Sequence, residues 1–292
     1  MQTGIVYALV AGLFWGTSPV LVKRGLANSN VSAATVYQQA AILFTLVLLT
    51  LFEGSFLNGA ISRLAILVFA ATGVVGAYLG RTLFVRSVAQ IGASRAQSLN
   101  NSSPLVTVLL AGLFLGERLT PVILAGVVLI VSGVFFITKV EPQKHESAAN
   151  RTLTLASILA TICYGIVPVM KKVGTDAGGS PVLGALVMHA TGLILLLTLG
   201  SLLRINLKWP KVPADSWLCF VAAGVLQAVG SILTLKALIY APASIVAPIW
   251  NAQPIVSFFL ARSLLKGIEV VTIRDGMAAV MVVAGVIVLR WA

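Results

Sequence analysis

The chain has 292 residues, 59% of them hydrophobic and 10% charged, with a formal net charge of +12. Soluble domains carry about 25% charged residues, so the composition points away from a soluble protein and towards a membrane protein. The 20 Lys and Arg are scattered among short loops without a basic stripe, which argues against nucleic acid as a partner and assigns the charge to orientation and membrane lipid.

Predominantly apolar stretches recur along the chain, each of about 20 residues, enough to cross ~30 Å of hydrocarbon as a helix. They are continuous rather than alternating, which favours helices over a barrel. Ten spans are predicted, at 4–22, 33–52, 64–84, 95–115, 121–139, 152–170, 182–203, 217–239, 243–264 and 270–290. The expected location is the cell (inner) membrane, multi-pass. Span 1 follows no basic segment and precedes no small-residue cleavage site, so it reads as retained rather than as a signal peptide.

Span 1 carries Trp15, ~16 Å along a helix from Gly4. An amphipathic ring at that depth wants a partner for its N–H, which a cavity wall or a neighbouring helix can supply. Tyr78 in span 3, Tyr164 in span 6 and Trp250 in span 9 raise the same alternatives. The cavity reading is taken for Trp15 and Trp250, which flank repeated proline motifs. Trp209, Trp217 and Trp291 fall at span ends and fit an interfacial belt. Gly12/Gly16, Gly76/Gly80 and Gly112/Gly116 are each GxxxG and permit close helix approach, read here as packing within a monomer.

Span 4 opens on Asn100, Asn101, Ser102, Ser103 and Pro104. Proline has no N–H, so the carbonyl near Asn100 loses its usual donor. Such groups are tolerable at membrane depth only inside protein or beside a cavity. Trp250–Pro254, WNAQP, repeats the arrangement in span 9. Asn101 and Asn251 are therefore expected to line a substrate path, with Pro104 and Pro254 as hinges. Neighbouring helices satisfying two plain kinks is the alternative.

Arg81 and Arg86 near the end of span 3, and Lys236 near the end of span 8, could meet a carboxylate or snorkel to the interface; the snorkelling reading is taken. His189 in span 7 reads as a hydrogen-bonded packing residue, with a proton site as the alternative. Cys163 and Cys219 form no CxxC and read as packing residues. The eight carboxylates, Glu53, Glu117, Glu141, Glu146, Asp176, Asp215, Glu269 and Asp275, fall in loops or near helix ends. A proton-coupled exporter needs a titratable group inside the membrane, so uniport or exchange is expected.

The chain resembles itself at a shift of about 150 residues. Trp15-Gly16 falls on Tyr164-Gly165, Pro19-Val20 on Pro168-Val169, Lys23 on Lys172 and Gly25 on Gly174. Gly80 falls on Gly230, Ala93-Ser94 on Ala243-Ser244, Asn101 on Asn251 and Pro104 on Pro254. The polar joint Lys139–Arg151 splits the spans five and five. An odd number per half puts the halves in opposite orientations, an arrangement that places a substrate site near the midplane between them. The fold class expected is an all-α membrane protein of ten transmembrane helices as two inverted five-helix repeats, 1–139 and 152–292, joined by a polar linker, 140–151.

GLFWGTSPVLVKRGL and ASRAQSLNNSSPLVTVLLAGLFLGERLT resemble the first-helix and fourth-helix blocks of the drug/metabolite transporter superfamily, in its ten-helix EamA type. The fourth-helix block ends on Gly116, Glu117 and Arg118. The second copy keeps Pro254 but has Gly267 where the shift expects the Glu, with Glu269 nearby. Gln38 and Gln39 stand where family members often carry an Arg. The resemblance implies two five-helix bundles around a central cavity, alternating access, and export of amino acids, other metabolites or drugs. Small multidrug members place a Glu in helix 1; this helix 1 has none.

The lining expected is Trp15, Tyr78, Asn101, Tyr164, Gln227, Trp250 and Asn251, with no cofactor and no metal. The expected function is export of amino acids or related metabolites by a monomer. A broad drug exporter and a non-transporting membrane scaffold are the rival readings. HExxH, GxGD, GxSxG and GxxxxGK[ST] are absent, so no enzyme is expected. Summing Lys and Arg over alternate loops gives six on the side of the termini and fourteen on the other. The charge rule would place the termini outside, whereas the resemblance implies cytoplasmic termini.

Overall fold

A chain whose apolar runs are continuous must satisfy its backbone within each run, and helices do so. In the computed structural model the described residues are 1–54, 62–91, 96, 99–137, 155–199, 212–264 and 273–291. Among them, α1 spans Gln2–Gly25, α2 Val31–Glu53, α3 Arg63–Thr72 and α4 Arg81–Ile91. A π-helical segment, Gly73–Gly80, joins α3 to α4. Then follow α5 (Ser103–Phe114), α6 (Pro121–Ile137), α7 (Leu155–Asp176), α8 (Pro181–Leu199) and α9 (Ala214–Tyr240). The series ends with α10 (Ala243–Trp250), α11 (Gln253–Leu264) and α12 (Ile273–Arg290). Seven spans are long and apolar enough to cross a membrane, and Ser103–Phe114, Pro121–Phe136 and Met277–Arg290 are shorter apolar helices. The joint Lys139–Arg151, Glu269 and Gly267 lie outside the described residues.

Local chemistry sets the helix ends. The Asn30 side chain accepts from Ala33 N at 2.9 Å and starts α2. Thr120 and Ser180 cap α6 and α8 in the same way, each followed by a proline at the first helical position, where no N–H is needed. Gly54 (φ 65°) ends α2 in the left-handed conformation that favours glycine.

Two predicted spans are not continuous helices. The backbone turns at Asn101-Ser102 before α5 and at Asn251-Ala252 between α10 and α11. Pro104 and Pro254 each stand second in the helix after the turn. They start helices rather than kink them, because a proline in the first turn removes a donor that has no intrahelical acceptor. The third of the GxxxG pairs also differs from expectation. Gly116 has φ 65° and nothing within 4 Å of an added Cβ, so it serves a turn, not a helix contact.

Residues 1–137 and 155–291 meet through reciprocal contacts. A Cβ on Gly16 would stand 2.6 Å from Gln253 O and from Val256 Cβ; one on Gly165 would stand 2.5 Å from Val106 Cβ and 3.0 Å from Ser103 O. Gly25 seats against Phe220 and Gly174 against Phe69. Two hydroxyls follow the same exchange. Thr107 Oγ1 donates to Gly165 O at 2.8 Å, and Ser257 Oγ donates to Gly16 O at 2.7 Å. Close glycine seats of this kind let backbones approach without the side-chain entropy cost of larger residues.

At one end the contact between these two parts is sealed. Ala237, Leu238, Ala243, Val246 and Ile249 are buried in one cluster with Val108, Ala111 and Val127. Glu117, between α5 and α6, accepts from Ala243 N at 2.7 Å, Ser244 N at 2.9 Å and Ser244 Oγ at 2.5 Å. Its carboxylate therefore caps the N-terminus of α10, where a negative charge meets the helix dipole.

Candidate functional site

The helices surround a cavity of about 380 Å³. Trp15 of α1, His189 of α8 and Gln227 of α9 line it from near the middle of their helices. The turns before α5 and α11 add Asn100 and Ser103 on one side and Trp250, Asn251 and Gln253 on the other. A broken helix exposes backbone and amide groups that a continuous helix would bond internally, and such breaks are tolerated where they border protein or a cavity.

Each aromatic has a seat in the other part of the chain. A Cβ on Gly230 of α9 would stand 2.5 Å from Trp15 Nε1, so the indole lies against bare backbone. A Cβ on Gly80 would stand 3.6 Å from Tyr164 Cε1, and Phe84 meets the Tyr164 ring edge-on at 6.4 Å between centroids. Trp15 Nε1 and Asn100 Oδ1 are buried without a hydrogen-bond partner.

His189 is held as a packing residue would be. Its Nε2 lies 3.0 Å from Ser231 Oγ, and that hydroxyl donates to Gln227 O at 2.9 Å. With its one proton committed, Ser231 is left to accept from the imidazole N–H. The ring nonetheless borders the cavity. Gln39 lines the same space, whereas Gln38 donates to Ser18 Oγ at 3.1 Å.

Of the residues singled out from the sequence, Trp15, Tyr164, Gln227, Trp250, Asn251 and His189 border the cavity. Tyr78 does not: it is half-buried in the π segment and outside the lining. Asn101 is buried in its turn, and its neighbours Asn100 and Ser103 face the cavity instead. Pro104 is buried at the start of α5 and Pro254 is half-buried at the start of α11.

Two cations depart from expectation. Arg81, read as snorkelling, lines the cavity, while Arg86 is exposed and Lys236 half-buried, both off its wall. Lys171, counted from the sequence among the loop charges, lies inside α7 and is 6% exposed. Its ammonium stands 4.8 Å from the Trp250 ring centroid and 5.9 Å from that of Trp15. The signal was available. Tyr164, Val167 and Lys171 share one helical face at i, i+3 and i+7, and all three line the cavity. Lys172, one residue on, turns away to Asp176 Oδ1 and Leu238 O, both at 2.8 Å.

Among the described residues no carboxylate lines the cavity. Glu53 ends α2, Asp176 ends α7 and Asp215 lies in the first turn of α9. No cluster of metal-ligating side chains occurs among the described residues, and Cys163 and Cys219 are unpaired thiols. Trp217 and Trp291 are 46% and 80% exposed at helix ends, as an interfacial belt requires.

The sequence matches the EamA-like transporter family twice, over residues 2–139 and 152–291. The pseudopaline exporter CntI of Pseudomonas aeruginosa, from two strains, is 26% identical over 253 residues, 85% of this chain and 82% of that protein. An uncharacterised protein of Methanocaldococcus jannaschii is 27% identical over 138 residues, 47% of this chain and 98% of its own length. A crystal structure at 17% identity shares the fold, with a TM-score of 0.77 over 99% of this chain and 96% of that one. A multi-pass, all-helical membrane chain, matched to one transporter family over nearly its whole length, belongs to that family: it is a member of the EamA-like transporter family of the drug/metabolite transporter superfamily.

Proposed function

We propose that the protein exports amino acids or related metabolites by alternating access, with residues 1–139 and 152–292 acting as two inverted five-helix repeats around the cavity. Three observations support the repeat. The family matches twice, the archaeal relative spans one half-length, and the contacts of Gly16 and Gly165 are exchanged between matching positions. A reciprocal pairing of this kind relates the two parts by a two-fold axis, and five spans per half would lay that axis in the membrane plane.

The observation that carries the transport reading is the cavity itself. It lies near mid-helix, its wall is drawn from both parts of the chain, and it mixes indole and phenol rings with amides. Trp15, Tyr164, Gln227, Trp250 and Asn251 are the proposed substrate contacts, with Tyr78 and Asn101 supporting the wall from behind. The turns before Pro104 and Pro254 are the proposed flexible points. The absence of carboxylates from the lining among the described residues supports uniport or exchange over proton antiport, with His189 the proton site to test. The relative named as an exporter supports the direction.

The test is uptake of a panel of labelled amino acids into proteoliposomes, with and without an imposed pH gradient. Saturable uptake indifferent to pH, impaired in Asn251→Ala and Trp250→Ala, both in the cavity wall, while both variants stay folded, is the expected result. Full rates in both variants would remove this cavity as the site.

A further inference from the structure

Among the described residues, Lys171 is a cation without a counter-ion. It is 6% exposed, it sits in the cavity wall, and two indole rings flank it. Aromatic faces attract an ammonium through their quadrupole but leave its charge in place. A charge buried without a partner is costly, and inside a membrane it marks a functional site. Among the described residues no carboxylate lines the cavity beside it, and three are engaged elsewhere. Glu117 caps α10, Asp176 pairs with Lys172, and Glu53 accepts from Ser180. Arg81 adds a second positive charge to the same lining, and among the described residues no acidic side chain stands in that lining beside either of them.

We infer that the cavity is an anion site, taking a small organic solute that carries at least one carboxylate and a net negative charge. The carboxylate binds Lys171 and Arg81, and the rest of the solute lies against Trp15, Trp250 and Tyr164. This rests on the cavity being the transport site and narrows its substrates from amino acids at large to acidic amino acids and other net-negative carboxylates. The same charges give specificity by exclusion. A cationic solute meets two like charges, one of them buried, and a zwitterion supplies no net charge to offset them.

The experiment measures equilibrium binding of two matched sets of labelled probes to the full chain in lipid nanodiscs. One set is glutamate, glutamine and lysine; the other is N-acetylphenylalanine, phenylalanine and phenylalaninamide. In each set the anion should bind at least tenfold tighter than its neutral and cationic partners. Lys171→Met should weaken anion binding by roughly ten- to a hundredfold, the usual worth of a charge-assisted hydrogen bond. Methionine keeps the length of the side chain and removes the charge that burial disfavours, so the fold is retained. Arg81→Gln, at an exposed position, is the second variant and should weaken the same probes. Equal or tighter binding of a neutral or cationic probe, no binding of either anion, or a preference unchanged in both variants would overturn the inference. Flux of the same probes in proteoliposomes reads the transport proposal separately. Anion-selective binding without flux defeats the transporter and keeps the anion site. Saturable flux of neutral probes indifferent to Lys171 does the reverse.

Discussion

Glu117→Ala strips the start of α10 of its cap. The N-cap residue, Pro242, makes no side-chain bond, so the acceptors for Ala243 N and Ser244 N come from Glu117, more than a hundred residues away in sequence. Those amides have no acceptor within the helix. Loss of an N-cap costs about 0.5–2 kcal/mol, and a hydrogen bond to a charged acceptor is worth about 1.5–3 kcal/mol. Glu117 is half-buried, so water replaces part of what is lost. The net cost is then about 2–3 kcal/mol, or roughly 30- to 150-fold in the equilibrium for opening this contact. Hydrogen exchange followed by mass spectrometry, on protein in nanodiscs, reads it directly. Amides of residues 243–250 should exchange faster by that factor, with Glu117→Gln between the two, because an amide keeps one acceptor oxygen. Unchanged exchange in Glu117→Ala would refute the reasoning. Acceleration spread evenly over all helices would also refute it, because that is global destabilisation and not a released latch.

Gly230→Ala should displace the Trp15 ring, since its Cβ would stand 2.5 Å from Nε1. The cost of such overpacking is about 1–3 kcal/mol, read as a lower thermal midpoint with reduced uptake. Gly80→Ala meets side-chain carbons only at 3.3 Å or beyond, with Val75 O at 3.1 Å, and should stay near the parent protein; equal losses in the two would count against the seating argument. His189→Asn should leave uptake as indifferent to an imposed pH gradient as the parent. A gradient-driven flux that this substitution abolishes would make His189 the proton carrier and end the uniport reading.

That the chain is helical and crosses a membrane was legible in the residues. Continuous apolar runs pointed to spans, seven of which among the described residues are long and apolar enough to cross, while the starts at Asn30, Thr120-Pro121 and Ser180-Pro181, not singled out from the sequence, rest on a chemistry that needs no tertiary contact. Depth along a helix was enough to bring Trp15, Tyr164 and Trp250 to notice. What failed depended on rotation about the helix axis. Tyr78 lies in Gly73–Gly80, where π-helical winding carries more residues per turn and turns side chains off the face that a regular helix predicts. Asn101 lies in a turn, so the cavity face passes to Asn100 and Ser103. Lys171 was misjudged by distance from a span end, although helical spacing from Tyr164 put it on the cavity face. The cap of α10 by Glu117 was not legible at all, because nothing local to either segment announces a partner so remote in sequence.

The proposed repeat explains why packing and charge behave differently. Backbone seats recur at matching positions, Gly16 with Gly165 and Ser103 with Gln253, because close approach constrains both halves alike. The two cavity cations do not recur. At the same shifts Lys171 falls opposite Val22, and Arg81 opposite Ser231. Each half thus contributes one positive charge to the cavity, at positions that are not equivalent. Two like charges facing one space repel most when the space is small and dry, so under the proposed alternating access an empty cavity would favour an open state. A carboxylate that touches both removes the repulsion and supplies differential binding free energy for closing, which any ligand-driven change of state requires. On this argument the charge that selects the solute also drives the movement that carries it.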